Sequence, residues 1–324
     1  MKKIVFIIPY FGKFNNYFQL FLNSCKFNDT VEWLIFTDDK SEYSYPKNVK
    51  VHYMSFDQLK KKIANKFDFD ISLENAYKLC DYRPAYGYIF DEYISNYDFW
   101  GYCDTDMIFG DIRKFFSDDV LNNNDKIGFF GHCSLIKNTE ENNKLFMKDI
   151  DNEYLYKDVF KMKDNSSYYK RTFDEENNKS INSIFLHYNK KCNFNEYEAN
   201  IYTKSSNFKL TRYNFDLGKY IIEKKSNSFF AFENGKIYRY QKKGNIIKKE
   251  EFLYIHMQSR PMKILLNDIN CSNYKIIPNS FENLDYDIIN IKNFKKIKIK
   301  NFNLHYFILR FNNLKKKIKK RVCK

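Results

Sequence analysis

The 324 residues carry 55 Lys and Arg against 40 Asp and Glu, a net charge of +15, with 44% apolar and 19% aromatic residues. This composition excludes a disordered chain, and the length suffices for one large domain or a main domain with an appendage. No window reaches 18 apolar residues, which excludes a membrane-spanning helix.

Seven Cys occur without a CxxC motif or a repeated spacing and read as the reduced, buried thiols of a cytosolic protein. The five His do not cluster, which argues against zinc held by neighbouring His and Cys. With 27 Tyr and 33 Phe in the chain, a single aromatic residue is not a functional sign.

The opening MKKIVFIIPYFG has the lysines and apolar run of a short signal peptide. The run is too short, however, and no small-residue cleavage site follows it. Residues 3–8 are predicted as a central parallel strand, closed by Pro9, Tyr10, Phe11 and Gly12. Residues 14–25 show helical spacing, with Phe14, Phe18, Phe21, Leu22 and Cys25 on one face. A second strand over 31–36 closes on Thr37-Asp38-Asp39, and a third covers 49–54. This order of strand, helix and strand opens an α/β fold, in which ligands collect at the carboxyl ends of strands. Asp38 and Asp39 read equally as a nucleotide contact and as a polar turn. Ser55 and Gln58 form a capping box for a helix through residue 67. Residues 76–95 are predicted mostly helical, with a break at Arg83-Pro84.

The centre of the chain is residues 98–116, DFWGYCDTDMIFGDIRKFF. An apolar run ends in Asp104-Thr105-Asp106, and a second apolar step follows at once. In an extended segment i and i+2 point the same way, so the two carboxylates would lie about 6–7 Å apart along the chain. Such a pair suits a hard divalent cation with positions left for phosphate oxygens. A short helix from Asp111, a strand over 126–130 running into 131–136, and a helix over 145–162 follow. Residues 165–179 read as irregular and charged, 181–186 as an apolar run, and 207–257 as β-rich with hairpin signals at Asn234-Gly235 and Gly244-Asn245.

After Asp287 there is no acidic residue, while residues 292–324 hold thirteen Lys and Arg. Leu304, Phe307, Ile308, Phe311, Leu314, Ile318 and Val322 recur at helical spacing. The stripe either packs on the rest of the protein or lies on anionic lipid. A basic balance also raises nucleic-acid binding, but no recognisable module accompanies it and the excess peaks in an amphipathic helix.

Three segments carry a family resemblance. Asp104-Thr105-Asp106 resembles the acid-x-acid metal motif of glycosyltransferases with the A-type, Rossmann-like nucleotide-sugar-binding fold. Cys80-Asp81-Tyr82-Arg83 is similar to the segment whose arginine approaches the donor sugar and diphosphate. Residues 254–261, YIHMQSRP, resemble the distal segment whose His is the third metal ligand and whose basic residue binds phosphate. Here that residue is Arg260 rather than the more usual lysine. Together with the opening residues 8–12, these segments resemble bacterial polysaccharide and lipopolysaccharide transferases. More distantly they resemble the retaining galactosyl- and glucosyltransferases that include lipo-oligosaccharide α-galactosyltransferases and glycogenin. Residues 131–138 are similar to an acceptor-side loop without its Asn-Ala-Gly core.

The resemblance implies an A-type fold over residues 1–265, followed by a basic helical extension over 266–324. It implies metal ligation by Asp104, Asp106 and His256, with Mn²⁺ favoured and Mg²⁺ a weaker substitute. Donor contacts would come from Pro9, Tyr10, Phe11, Thr37, Asp38, Asp81, Arg83, Thr105 and Arg260, and the catalytic groups would be Asp104, Asp106 and Arg83. The implied reaction is transfer of galactose or glucose from a UDP-sugar to a glycan or lipid-linked oligosaccharide. It would run at the cytoplasmic face of the inner membrane, with no nucleic acid as partner.

Retention is favoured, and inversion, with a base among Asp174, Glu175 and Glu176, stays open. A non-catalytic carbohydrate-binding protein is the other reading. Taken singly, His256 also reads as a satisfied core histidine, Arg83 as a surface partner of Asp81, and Tyr10 and Phe11 as core.

Overall fold

The computed structural model describes residues 1–165, 173, 179–298 and 303–322. Asp174, Glu175 and Glu176 lie outside the described residues. The chain divides into two compact units. One comprises Met1–Phe14, Asn28–Thr105 and Arg113–Glu196, and the other Asn15–Phe27, Asp106–Ile112 and Tyr197–Lys324.

The first unit is built on a seven-stranded mixed sheet. Its parallel half comprises β1 (Ile4–Pro9), β2 (Val31–Thr37), β3 (Val49–Tyr53) and β4 (Phe99–Cys103), in the order β3-β2-β1-β4. β1, β2 and β4 are near-continuous runs of apolar residues, as strands covered on both faces require, while the edge strand β3, VKVHY, carries exposed Lys50 and Tyr53. β1 pairs with β2 on one side and with β4 on the other, so the strand order reverses beside β1. The crevice at the carboxyl ends of the strands flanking such a reversal is the ligand-binding place of open α/β sheets. Beyond β4 the sheet turns antiparallel through Cys133–Lys137 and Lys126–Ile127, and Cys192–Asn193 closes its edge. This is an α/β fold with a Rossmann-like parallel half.

The expected strands over 3–8, 31–36 and 49–54 are present within a residue or so. The capping box at Ser55 and Gln58 also forms, but its helix, Phe56–Ala64, ends three residues early. Two long helices are replaced by shorter pieces. Residues 76–95 form a 3₁₀ helix, Ala76–Ala85, and two single turns, Tyr86–Ile89 and Asp91–Ile94. Pro84, which cannot donate a backbone hydrogen bond, lies inside the 3₁₀ helix, and the break expected at Arg83-Pro84 falls after Ala85. Residues 145–162 resolve into Leu145–Met147 and Leu155–Lys161, separated by a turn in which Asp151 and Asn152 take positive φ. Asp and Asn are residues that tolerate this conformation. The expected strand over 126–130 shortens to Lys126–Ile127, and the apolar run from 181 is a capped helix, Ile181–His187.

In the second unit, the helix expected from Phe14 begins at Phe18 and runs to Lys26, burying Phe18, Phe21, Leu22 and Cys25. Phe14 lies outside it. Met107–Phe109 pairs antiparallel with Tyr254–His256, which pairs in parallel with Ala199–Asn200. A six-stranded sheet holds the two expected hairpins. Ser228–Glu233 turns into Lys236–Lys243 at Asn234-Gly235, where both residues have positive φ, and that strand turns into Ile246–Phe252 at Gly244-Asn245. The sheet continues through Asn273–Ile277, Ser280–Asn283 and Lys263–Leu265. The boundary drawn after residue 265 therefore falls inside this sheet.

Two helices follow, Ile291–Lys298 and His305–Val322. No helix of the described residues is long and apolar enough to cross a membrane. Among the described cysteines, Cys25, Cys103 and Cys133 are buried, and Cys80, Cys192 and Cys271 are half-buried.

Gly101 sits mid-strand in β4, opposite Phe6 on one side and Leu135 on the other. A Cβ added there would collide with the Ser134 carbonyl oxygen and with Leu135. Backbone cannot rotate aside as a side chain can, so the strand itself would have to move. We expect Gly101→Ala to lower unfolding free energy by about 3 kcal/mol, the upper part of the overpacking range, as measured by urea denaturation. An unchanged midpoint would contradict the close approach of β4 to its neighbour.

Candidate metal centre

The carboxyl ends of β1, β2 and β4 place the first group of expected residues. Pro9 ends β1, and Tyr10 N–H donates to the Phe36 carbonyl. Gly12 N–H donates to Asp38 Oδ1 (2.8 Å), which joins the loop after β1 to the loop after β2. Asp38 is thus a loop tie with an exposed side chain. Its neighbour Asp39 is buried and accepts from Phe14 N–H and from the Ser41 hydroxyl. Thr37 is also buried, its hydroxyl accepting from Asp39 N–H. The Tyr10 ring stacks on Phe14 at 4.4 Å, and Phe11 meets Phe56 edge to face. Both rings are half-buried, so each has a protein partner on one side and solvent on the other.

At the end of β4, Asp104 N–H donates to the His132 carbonyl, and the Asp104 carboxylate accepts from Arg83 Nη2. Arg83 also donates from Nη1 to the Gly131 carbonyl (2.6 Å), and its guanidinium lies over the Tyr102 ring. The arginine thus pairs with Asp104. Asp81 is buried and accepts from Lys78 Nζ at 2.6 Å, while Lys78, fully buried, also donates to the Val159 carbonyl. Leaving one partner of such a pair uncompensated costs about 3–5 kcal/mol, so the structure gives Asp81 an architectural role. Lys78 was not legible from sequence, where it is one lysine among many.

Thr105 is buried, and Asp106 follows it. Asp106 Oδ1 lies 3.1 Å from His256 Nε2, and Oδ2 accepts from Ser259 N–H and from the Ser259 hydroxyl. Burial alone would raise the Asp106 carboxyl's pKa. The charge and hydrogen bond of His256, with the Ser259 N–H, outweigh it and hold the group below the ordinary carboxylate range.

His256 ends the strand Tyr254–His256, and its Nδ1 lies 3.3 Å from Asn200 Oδ1. Gln258 Nε2 donates to that same oxygen. With Asn200 Oδ1 an acceptor, Nδ1 carries a proton; Nε2 donates to Asp106 Oδ1, and a bound cation would take the place of that Nε2 proton. An outer carbonyl on one ring nitrogen is the usual support of a metal-binding imidazole. Sequence reasoning did not find Asn200, which lies 56 residues from His256 in no motif.

Asp104, Asp106 and His256 each offer one ligand atom, and the three atoms lie within 4.8 Å of one another. This cluster could hold a divalent cation.

Gln258 and Ser259 both have left-handed backbones, with φ of 53° and 54°. This conformation costs a non-glycine residue about 1–2 kcal/mol, and here it turns the Ser259 N–H towards Asp106. Arg260, expected at the donor phosphates, is instead 2% exposed. It donates from Nε to Asn279 Oδ1 and from its two terminal nitrogens to the carbonyls of Ser205 and Ser206. Burial pulls the pKa of its guanidinium down to about 10, so it remains charged at neutral pH.

If Asn200 fixes the Nδ1–H tautomer, Asn200→Ala should weaken Mn²⁺ binding by about 10–100-fold, the usual cost of an outer partner, with the fold kept by circular dichroism. Isothermal titration with Mn²⁺ reads this without any turnover. Affinity equal to the parent's would remove the tautomer argument.

Comparison with known proteins found no match among curated sequences. Among solved structures the chain is similar to the galactosyltransferase LgtC in complex with donor and acceptor sugar analogs, at 13% identity over 61% of this chain and 74% of that one, with a TM-score of 0.30. It is also similar to the glycosyltransferase GlyE of Streptococcus pneumoniae TIGR4, at 12% identity over 61% and 46% (TM-score 0.32). A third likeness is to mouse xyloside xylosyltransferase 1, at 9% identity over 62% and 88% (TM-score 0.34). Superpositions this loose carry no functional assignment. A family model matches residues 6–285, and through it the protein belongs to a family of unknown function, DUF6625.

Proposed function

We propose that the protein is a metal-dependent glycosyltransferase that moves a hexose, galactose ahead of glucose, from a UDP-sugar to a lipid-linked oligosaccharide or polysaccharide. The anomeric configuration is retained, and the reaction runs at the cytoplasmic face of the inner membrane. The observation that supports this reading is the convergence of Asp104, Asp106 and His256 on one small volume. Bound there, the cation acts as a Lewis acid that neutralises a diphosphate leaving group. Three protein ligands leave coordination positions for phosphate oxygens, which favours a nucleotide-diphosphate donor over a simple metal store.

The chain's own residues have separate tasks. Asp104 is oriented by Arg83 and Asp106 by Ser259, so both carboxylates are aimed before a cation arrives. Asn200 orients His256. The loops after β1 and β2, tied by Gly12 and Asp38, present the half-buried Tyr10 and Phe11 at the carboxyl edge of the parallel sheet, where a base and ribose would lie. Thr105 and Pro9 shape that edge by their backbones. Arg260 supports the turn that carries Ser259, and positive charge for the phosphates falls to Arg83.

Asp106→Asn should leave the fold intact, since volume is conserved, and abolish Mn²⁺-dependent hydrolysis of UDP-galactose and UDP-glucose. Loss of such electrostatic stabilisation costs about 10²–10³ in rate. Turnover within about threefold of the parent at saturating Mn²⁺ would end the metal assignment, judged against that penalty. A screen of UDP-, GDP- and CMP-sugars, each with Mn²⁺ and with EDTA, tests the donor. Turnover confined to a GDP- or CMP-sugar would overturn the uridine assignment, and NMR of the product anomer decides retention.

A further inference from the structure

The helix His305–Val322 is rooted at its first turn. His305 is buried and its Nε2 meets the Thr203 carbonyl at 2.9 Å, while Asn303 donates to the Ser206 carbonyl at 3.0 Å. Ser206 is one of the two serines whose carbonyls accept from Arg260. Leu309, one turn on and on the same side as His305, is half-buried.

The opposite side is uncovered. Phe307 is 66% exposed, Ile308 55%, Phe311 56%, Leu314 55% and Ile318 52%. At about 100° per residue these five fall within one stripe about 120° wide. Of the two readings of this periodicity, packing on the rest of the protein would bury the stripe, yet it lies open. Exposed Arg310 borders it, and exposed Lys315 falls within it between Phe311 and Ile308, its Nζ 4.6 Å from the Phe311 ring centre. No acidic residue follows Asp287.

We infer that this helix docks the protein on an anionic lipid bilayer, lying in the headgroup region with the Phe307–Phe311–Leu314 stripe among the acyl chains. A stripe of large apolar side chains set among cations, with no acid to offset them, fits a surface that is apolar below and negatively charged above. A second copy of the same helix would bring like charges together, and a nucleic acid, whose bases could stack on Phe307 and Phe311, offers no apolar surface for Ile308, Leu314 and Ile318. The docking does not depend on the transfer reaction and can fail or succeed independently of it.

The test uses the full chain and co-sedimentation with vesicles of phosphatidylcholine, with and without about 30 mol% phosphatidylglycerol as the anionic lipid, at about 0.1 M salt. The expected result is binding to the anionic vesicles, weakened at high salt, and weak or no binding to phosphatidylcholine alone. Phe307→Asp combined with Phe311→Asp should weaken partitioning by about tenfold or more, because two apolar side chains no longer enter the bilayer. Arg310→Glu combined with Lys315→Glu should weaken it while leaving the apolar stripe whole. All four residues are exposed, so circular dichroism of both variants should match the parent; if the aspartate pair misfolds, the charge-reversal pair decides.

Equal binding by parent and variants would overturn the docking, as would equal binding to neutral and anionic vesicles. So would self-association without vesicle binding, or binding to an oligonucleotide in place of vesicles.

Discussion

Two aspartates one residue apart at the end of a buried strand repel each other unless each has its own compensation. The structure supplies it separately. Asp104 is met by the Arg83 guanidinium, and Asp106 by the His256 ring and the Ser259 backbone N–H. Neither counter-group is a neighbour in sequence. Arg83 lies in the last turn of a 3₁₀ helix, while His256 and Ser259 belong to a strand and the turn after it. The positions of these elements therefore follow from where the two negative charges must be tolerated. Compensation of this kind is also what a cation would provide, so a cation can exchange for contacts that already exist.

What the sequence made legible follows from how local each signal is. Three of the four parallel strands are mainly apolar runs, the helix from Phe56 has its capping box within four residues, and both hairpins turn on Asn-Gly or Gly-Asn pairs. The Asp-x-Asp spacing belongs to the same class, since alternation along a strand is fixed by backbone geometry. Where competition between local conformations decides, the reading failed. The apolar spacing of 145–162 suggests one helix, but Asp151 and Asn152 are comfortable with positive φ and turn the chain there. The strands beyond residue 265 were missed because their tight turn rests on Asn279, at φ 70°, in a region dominated by charge.

The least legible feature was the division of labour among basic residues. In sequence Lys78, Arg83 and Arg260 are three cations in a chain of 55. In the structure Lys78 neutralises Asp81 inside the core, Arg83 meets a candidate metal ligand, and Arg260 is buried against backbone carbonyls. Burial and partners separate these roles, and neither is a property of composition or period. The family resemblance points to the segment around Arg260, but a motif specifies residue types and not which acceptors the rest of the chain brings to them.

The turn at residues 258–260 shows why that task matters. Two consecutive non-glycine residues in the left-handed region store strain, and such strain persists only where surrounding contacts over-determine it. Each of the three side chains or backbones is tied down. Gln258 is held by Asn200, Ser259 by Asp106, and Arg260 by Asn279, Ser205 and Ser206. The ties at 258 and 259 lead to Asn200 and Asp106, the two groups that also face the His256 ring. A cation drawing on Asp106 and His256 would thus pull on a turn already braced by Arg260, and the brace keeps the ligands from relaxing apart when no cation is bound. Seen this way, the buried Arg260 contributes to the candidate site by holding the strained turn that carries Ser259.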